Sequence, residues 1–119
     1  MDHGRIPAWR RGIDLAHTVC AAVAGGALAR TDAGRRLRSA AVSVPSLVGE
    51  AFLDLTASSA GEALSRASVK LSEVAQLLAQ DPVRQSLGEA ETASLLAEIE
   101  ALREDLDGLS ANRRTPPGH

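Results

Sequence analysis

The sequence predicts an all-α fold, an antiparallel up-and-down four-helix bundle, on three observations. Aromatic residues make up only 2% of a chain that is 45% apolar, and that apolar content is mostly Ala, Leu and Val. Ala and Leu favour helices, whereas strands draw on aromatic and β-branched side chains. Apolar positions also recur at three- and four-residue steps in four successive segments, the spacing that places one stripe on a helix face. Finally, the segments are joined by short stretches rich in Gly, Pro, Ser and Asp. Short connections of that kind make sequential helices antiparallel neighbours.

Helix one is expected over residues 7–25, with Pro7 suited to a first turn. Its stripe runs Trp9, Ile13, Ala16, Val19 or Cys20, and Val23, and Gly25-Gly26 supplies the stop. Helix two, over 32–53, opens at Thr31-Asp32, either of which can cap free N–H groups. Its stripe is Ala33, Leu37, Ala40/Ala41, Val44, Val48 and Phe52. Pro45 falls inside that stripe and predicts a kink near residues 41–45, since it removes a donor and crowds the carbonyl four residues back. The alternative is that Pro45 separates two short helices.

Ser59 and Glu62 have the spacing of a capping box and open helix three, over 60–80. Leu64, Ala67/Ser68, Leu71, Val74/Ala75 and Leu78 form its stripe. Asp81-Pro82 reads as a cap followed by a first-turn proline for helix four, over 83–109, which Gly88 breaks early. Beyond it, Leu95/Leu96, Ile99, Leu102, Leu106 and Leu109 make the most regular stripe in the chain. Residues 1–110 are thus one domain. Residues 111–119, with Pro116-Pro117-Gly118, are expected to be a disordered tail.

Cys20 is the only cysteine, which excludes an intrachain disulfide and suits a reducing, cytoplasmic setting. The longest uncharged stretch, Leu15–Ala29, has 15 residues, short of the roughly 20 that a spanning helix needs. No membrane association is expected. A secretory signal is the rival reading of Arg10-Arg11 and the Ala-rich run after them. Asp14 at the boundary and the scarcity of Leu argue against it. The net charge is −2, but residues 1–59 carry seven Arg against five acids and residues 60–119 six Lys/Arg against ten acids. The halves are therefore +2 and −4, and a basic side and an acidic side are expected.

The chemistry-bearing residues are sparse, and no catalytic centre is expected. His3 and His119 lie at the ends, leaving His17, which no nucleophile motif accompanies. His17 and Cys20 are three apart on one helix, yet two ligands are too few for a closed zinc site. Di-iron bundles need Glu-x-x-His pairs on inward faces, and none occurs. No glycine-rich phosphate loop is present either, so no metal or cofactor is expected. What remains is the cluster Arg30, Arg35, Arg36 and Arg38. It presents a cationic patch for phosphates or an acidic partner, or else pairs with acidic helices of its own or a neighbouring subunit. No aromatic residue accompanies it as a base-stacking platform.

The segment Leu37–Ala51, Leu-Arg-Ser-Ala-Ala-Val-Ser-Val-Pro-Ser-Leu-Val-Gly-Glu-Ala, resembles the signature of the four-helix-bundle proteins encoded in intervening sequences of bacterial 23S rRNA genes. Arg38, Ala40, Ala41, Ser43, Pro45, Ser46 and Glu50 match that signature. Arg36, Ser39, Leu47 and Ala51 depart from its Gln, second Arg, Asn and Gly. Trp9, Leu15, Val19, Ala67-Ser68-Val69 and Glu73 extend the likeness over residues 8–110. The resemblance implies a ring-shaped homo-oligomer, a homopentamer, with Ser43, Pro45, Ser46 and Glu50 as its structural or oligomer motif. A more distant likeness, to the accessory bundle of diversity-generating retroelements, implies work beside a reverse transcriptase and nucleic acid. If Glu50 is buried between subunits it must be paired, and Arg38, far along the same helix, would pair with it only across an interface. The expected function is a non-enzymatic, homo-oligomeric scaffold or adaptor that presents a surface to a macromolecular partner. The alternatives are an RNA- or DNA-binding accessory protein using the arginines, and a small enzyme or carrier with a site formed between subunits.

Overall fold

The structure, a computed structural model, describes residues 5–114 and the side chains of residues 7–111. Among these residues it is wholly helical: α1 (Arg5–Ala24), a 3₁₀ turn (Ala27–Arg30), α2 (Asp32–Phe52), α3 (Ser58–Leu78), α4 (Asp81–Leu87) and α5 (Glu89–Arg114). The four long helices surround one core, with α1 and α3 each packed against both α2 and α5. The molecule is a rod, 52 Å long and about 20 Å across. None of the described helices is long and apolar enough to cross a membrane.

α1 shows the largest departure from the sequence reading. Trp9 and Ile13 are 45% and 39% exposed, while Ala8, Gly12, Leu15, Ala16, Val19 and Val23 face the core. The first two turns of the stripe are therefore turned by one position, whereas Ala16, Val19 and Val23 are buried as expected. The cause is the small surface formed by Ala8 and Gly12, which lets α2 come close. A Cβ at Gly12 would lie 3.4 Å from the Pro45 Cα. A large side chain on that face would hold the helices apart, so Trp9 is displaced to the edge, over Gly49.

Gly25 and Gly26 end α1 as expected, although neither has a positive φ. Of the two candidate caps for α2, Thr31 acts. Its Oγ1 accepts the Gly34 N–H at 3.0 Å and donates to the Leu28 carbonyl at 2.9 Å, which ties the 3₁₀ turn to the helix. α2 then runs through Pro45 as one helix, with Leu37, Val44 and Val48 buried and Ala33 and Phe52 at the margin. Two residues before the proline, the Ser43 hydroxyl donates to the Ser39 carbonyl at 2.8 Å. Such back-bonding tends to bend a helix.

The capping box expected at Ser59 and Glu62 does not form. α3 begins at Ser58, two residues before the expected start at 60, with Ala57 extended as its N-cap. The Asp54 carboxylate sets this turn by accepting both the N–H and the hydroxyl of Thr56, at 3.0 and 2.6 Å. Those hydrogen bonds, the hydroxyl's first, lower the pKa of Asp54. The buried face of α3 is the expected one: Leu64, Ala67, Leu71, Val74 and Leu78.

Asp81 is likewise not a cap. Gln80 holds that position, and Asp81 and Pro82 form the first turn of α4. Gly88, with φ 91°, takes a backbone conformation that L side chains avoid and divides the expected fourth helix into α4 and α5. α5 continues past the expected stop at 109 to Arg114. Residues 115–119, most of the expected tail, lie outside the described residues.

Within α5, Leu95, Ile99, Leu102, Leu106 and Leu109 are buried as their spacing predicts. Thr92 is buried with them, and its hydroxyl has no hydrogen-bond partner. Thr92→Val, which keeps the β-branch and removes that hydroxyl, should raise stability by about 1 kcal/mol. A urea denaturation midpoint that stays put or falls would show that the hydroxyl is satisfied after all.

Candidate partner-binding surface

The four arginines singled out by the sequence lie at one end of the rod, and all are exposed. Arg30 closes the 3₁₀ turn, while Arg35, Arg36 and Arg38 occupy the first half of α2. Arg35 is engaged locally, with Asp32 at 3.2 Å and the Arg30 carbonyl at 3.4 Å. Asp32 also offsets the unfavourable placing of cations at a helix N-terminus. Arg36 and Arg38 have no ion-pair partner among the described residues. At roughly 100° per residue they diverge by about 160°, one on each side of Arg35. The three side chains therefore fan over the outer half of α2 and do not converge on one phosphate-sized point.

The structure also disperses Ser43, Pro45, Ser46 and Glu50. Pro45 meets Gly12 of α1. Ser43 and Ser46 turn the other way and, with Val42 and Leu47, line a groove of about 290 Å³ against Arg66 and Lys70 of α3. The sequence reading missed Arg66 and Lys70. Their four-residue spacing was the available signal, for it puts both on one helix face. Lys70 is held by Glu73 at 3.4 Å, whereas Arg66 has no ion-pair partner among the described residues. Glu50 is exposed, so no buried partner is demanded of it within the chain.

On the other side of the rod, α1 and α5 enclose a cleft of about 220 Å³ lined by Asp14, Leu15, Thr18, Ser94, Leu95 and Glu98. Close by, Arg11 bridges to Asp105 at 2.9 Å and reaches the Ala101 carbonyl at 3.4 Å. The two charged residues that line the cleft, Asp14 and Glu98, are both acids. His17 is exposed and Cys20 half-buried. No described residues gather three or more His, Cys, Asp or Glu side chains in a metal-holding group. His3 and His119 lie outside the described residues.

What this surface offers chemically is charge and apolar area. Leu53, just past the end of α2, is 86% exposed, and Val69 on α3 and Val42 on α2 are 62% and 46% exposed. Comparison with family models, with curated proteins and with solved structures finds no match to this chain.

Proposed function

We propose that this chain is a non-enzymatic, homo-oligomeric scaffold of the cytoplasm, a ring-forming and by its sequence likeness pentameric assembly that presents a surface to a macromolecular partner. The observation that carries this reading is the set of large apolar side chains left outside a core that is already filled. Val42 and Val69 stand exposed on α2 and α3, whose inner faces are buried in the core, and Leu53 stands exposed just past the end of α2. Such exposed apolar area is a feature of surfaces that meet other chains.

An antiparallel up-and-down arrangement of α1, α2, α3 and α5 belongs to the same reading. Trp9 lies over Gly49 and Gly12 over Pro45, so the numbering rises on α1 as it falls on α2. On α1 and α5, Arg11 meets Asp105 while Asp14 and Thr18 share a cleft with Glu98 and Ser94. The α2–α3 groove, with Ser46 and Leu47 near Arg66 and Val42 and Ser43 near Lys70, has the same sense.

Native mass spectrometry of the untagged protein should give a closed multimer at the pentamer mass that survives raised salt, because apolar contact is not screened. A monomer throughout the micromolar range would overturn the scaffold reading.

A second reading, an RNA- or DNA-binding accessory protein, is favoured by the lack of ion-pair partners for Arg36 and Arg38. Each phosphate contact contributes about 0.9 to the slope of log affinity against log salt. Arg36→Gln with Arg38→Gln should therefore flatten that slope for a duplex by about 2. The protein has one Trp and no Tyr, so bound nucleic acid would dominate its absorbance at 260 nm. A clean protein spectrum after gentle lysis, with no salt-dependent duplex binding, would exclude this second role.

A further inference from the structure

Trp9 and Ile13 lie one turn apart on α1 and are both substantially exposed, with Arg10 between them. Within the described residues the pair is only partly covered, the Nε1 edge of Trp9 lying toward Gly49 of α2 and the rest of the ring open. Arg10 has no ion-pair partner there, and the Trp9 indole N–H finds no acceptor. Across α5, Glu104 and Asp107 are exposed carboxylates, also without ion-pair partners among the described residues. Beside them is Gly108, in mid-helix, where a Cβ would meet nothing within 4 Å. A glycine in an exposed helix interior is destabilising by about 1 kcal/mol relative to Ala, and no packing within this chain accounts for it.

These two surfaces share a level on the rod. Arg11 contacts Asp105, and α1 and α5 run in opposite senses in the arrangement proposed above. Two residues back on α1 therefore corresponds to two or three residues on along α5, which brings Trp9 level with Asp107 and Gly108. We propose that the Trp9–Ile13 face of one copy docks on the Glu104–Gly108 face of the next, with Trp9 over Gly108 and Arg10 against Glu104 and Asp107. The inference rests on the homo-oligomer reading and specifies its contact. The occupant of the apolar face is a second copy because that copy supplies, at the matching height, the opposite charge and a bare patch of backbone for a large ring. The two faces differ, so the interface is heterologous, and copies related by a rotation about an axis along the rod would close into a ring.

The test compares assembled mass, by light scattering and native mass spectrometry, for the wild-type chain, Gly108→Arg, Ile13→Glu and Arg10→Glu. The open space around Gly108 means that Gly108→Arg leaves the helices intact, which circular dichroism checks. Each variant should weaken self-association at least about tenfold. In Gly108→Arg the emission of Trp9, the sole tryptophan, should shift to the red. Combining Arg10→Glu with Glu104→Arg should restore the assembly. A wild-type monomer would overturn the oligomer reading and this contact with it, and another occupant would then cover the face. A wild-type oligomer whose mass and affinity are unchanged by Gly108→Arg, or whose charge swap fails to rescue, would overturn this contact alone.

Discussion

Gly34→Ala should lower the stability of the protein by about 3 kcal/mol, in a type of substitution that normally strengthens a helix. Alanine exceeds glycine in helix propensity by about 1 kcal/mol, and Gly34 has no positive φ to excuse it. The obstacle is the turn packed beneath. A Cβ at Gly34 would overlap the Leu28 carbonyl, with the carbonyl carbon only 2.7 Å away, and would crowd the Thr31 hydroxyl. These are backbone atoms and a cap, so nothing flexible can move aside. Relief would require the 3₁₀ turn to unwind, releasing buried Leu28 and the Thr31 cap together. Gly49→Ala is the matched comparison: its Cβ would sit 3.5 Å from the Trp9 ring, an ordinary contact. It should leave stability within about 1 kcal/mol of the parent. If both variants melt alike, the close approach of the 3₁₀ turn to α2 is wrong.

Gly34 also shows what the sequence conceals. It continues the buried stripe of α2, three residues before Leu37, but a glycine carries no apolar signal, and its importance comes from a carbonyl that another element delivers. Legibility follows the same line elsewhere. The inner faces of α3 and α5 are readable because large aliphatic side chains (Leu64, Leu71, Val74 and Leu78 in α3, Leu95, Ile99, Leu102 and Leu106 in α5) recur on a single face of each helix. α1 is alanine-rich, and its large apolar side chains Trp9 and Ile13 point the first two turns of the stripe the wrong way, because apolar size there does not mean burial. What decides there is Gly12 meeting Pro45, a contact between helices that no single-helix pattern contains. Caps fail for a related reason. Ser59 and Glu62 satisfy a local pattern, but Asp54 and Thr56 have already fixed the turn and α3 starts ahead of them.

The surface was legible only in composition. Arg35, Arg36 and Arg38 are adjacent in sequence, and adjacency on a helix spreads side chains around its axis. The Arg66–Lys70 pair meets Ser43 and Ser46 only because α3 folds back on α2. The Trp9 face and the Glu104–Gly108 face come level only through the pairing of α1 with α5.

Leu102→Ala should cost about 3–5 kcal/mol, a large part of the roughly 5–15 kcal/mol that holds a domain of this size together. Leu102 is fully buried midway along α5, between Ile99 and Leu106, which are themselves sealed. α5 packs against both α1 and α3, and each of these also packs against α2, so a helix moving in to fill the space would part from another neighbour. The cavity should therefore stay open, which is the condition for the upper part of the range. Leu109→Ala removes the same atoms where the site is 6% exposed and nearer the end of the helix. Water can reach that space and the last turns can settle, so the loss should fall to about 2 kcal/mol. Urea midpoints for both variants, at one protein concentration and with unchanged m, measure the difference directly. Equal losses at the two positions would mean that Leu109 is backed as firmly as Leu102.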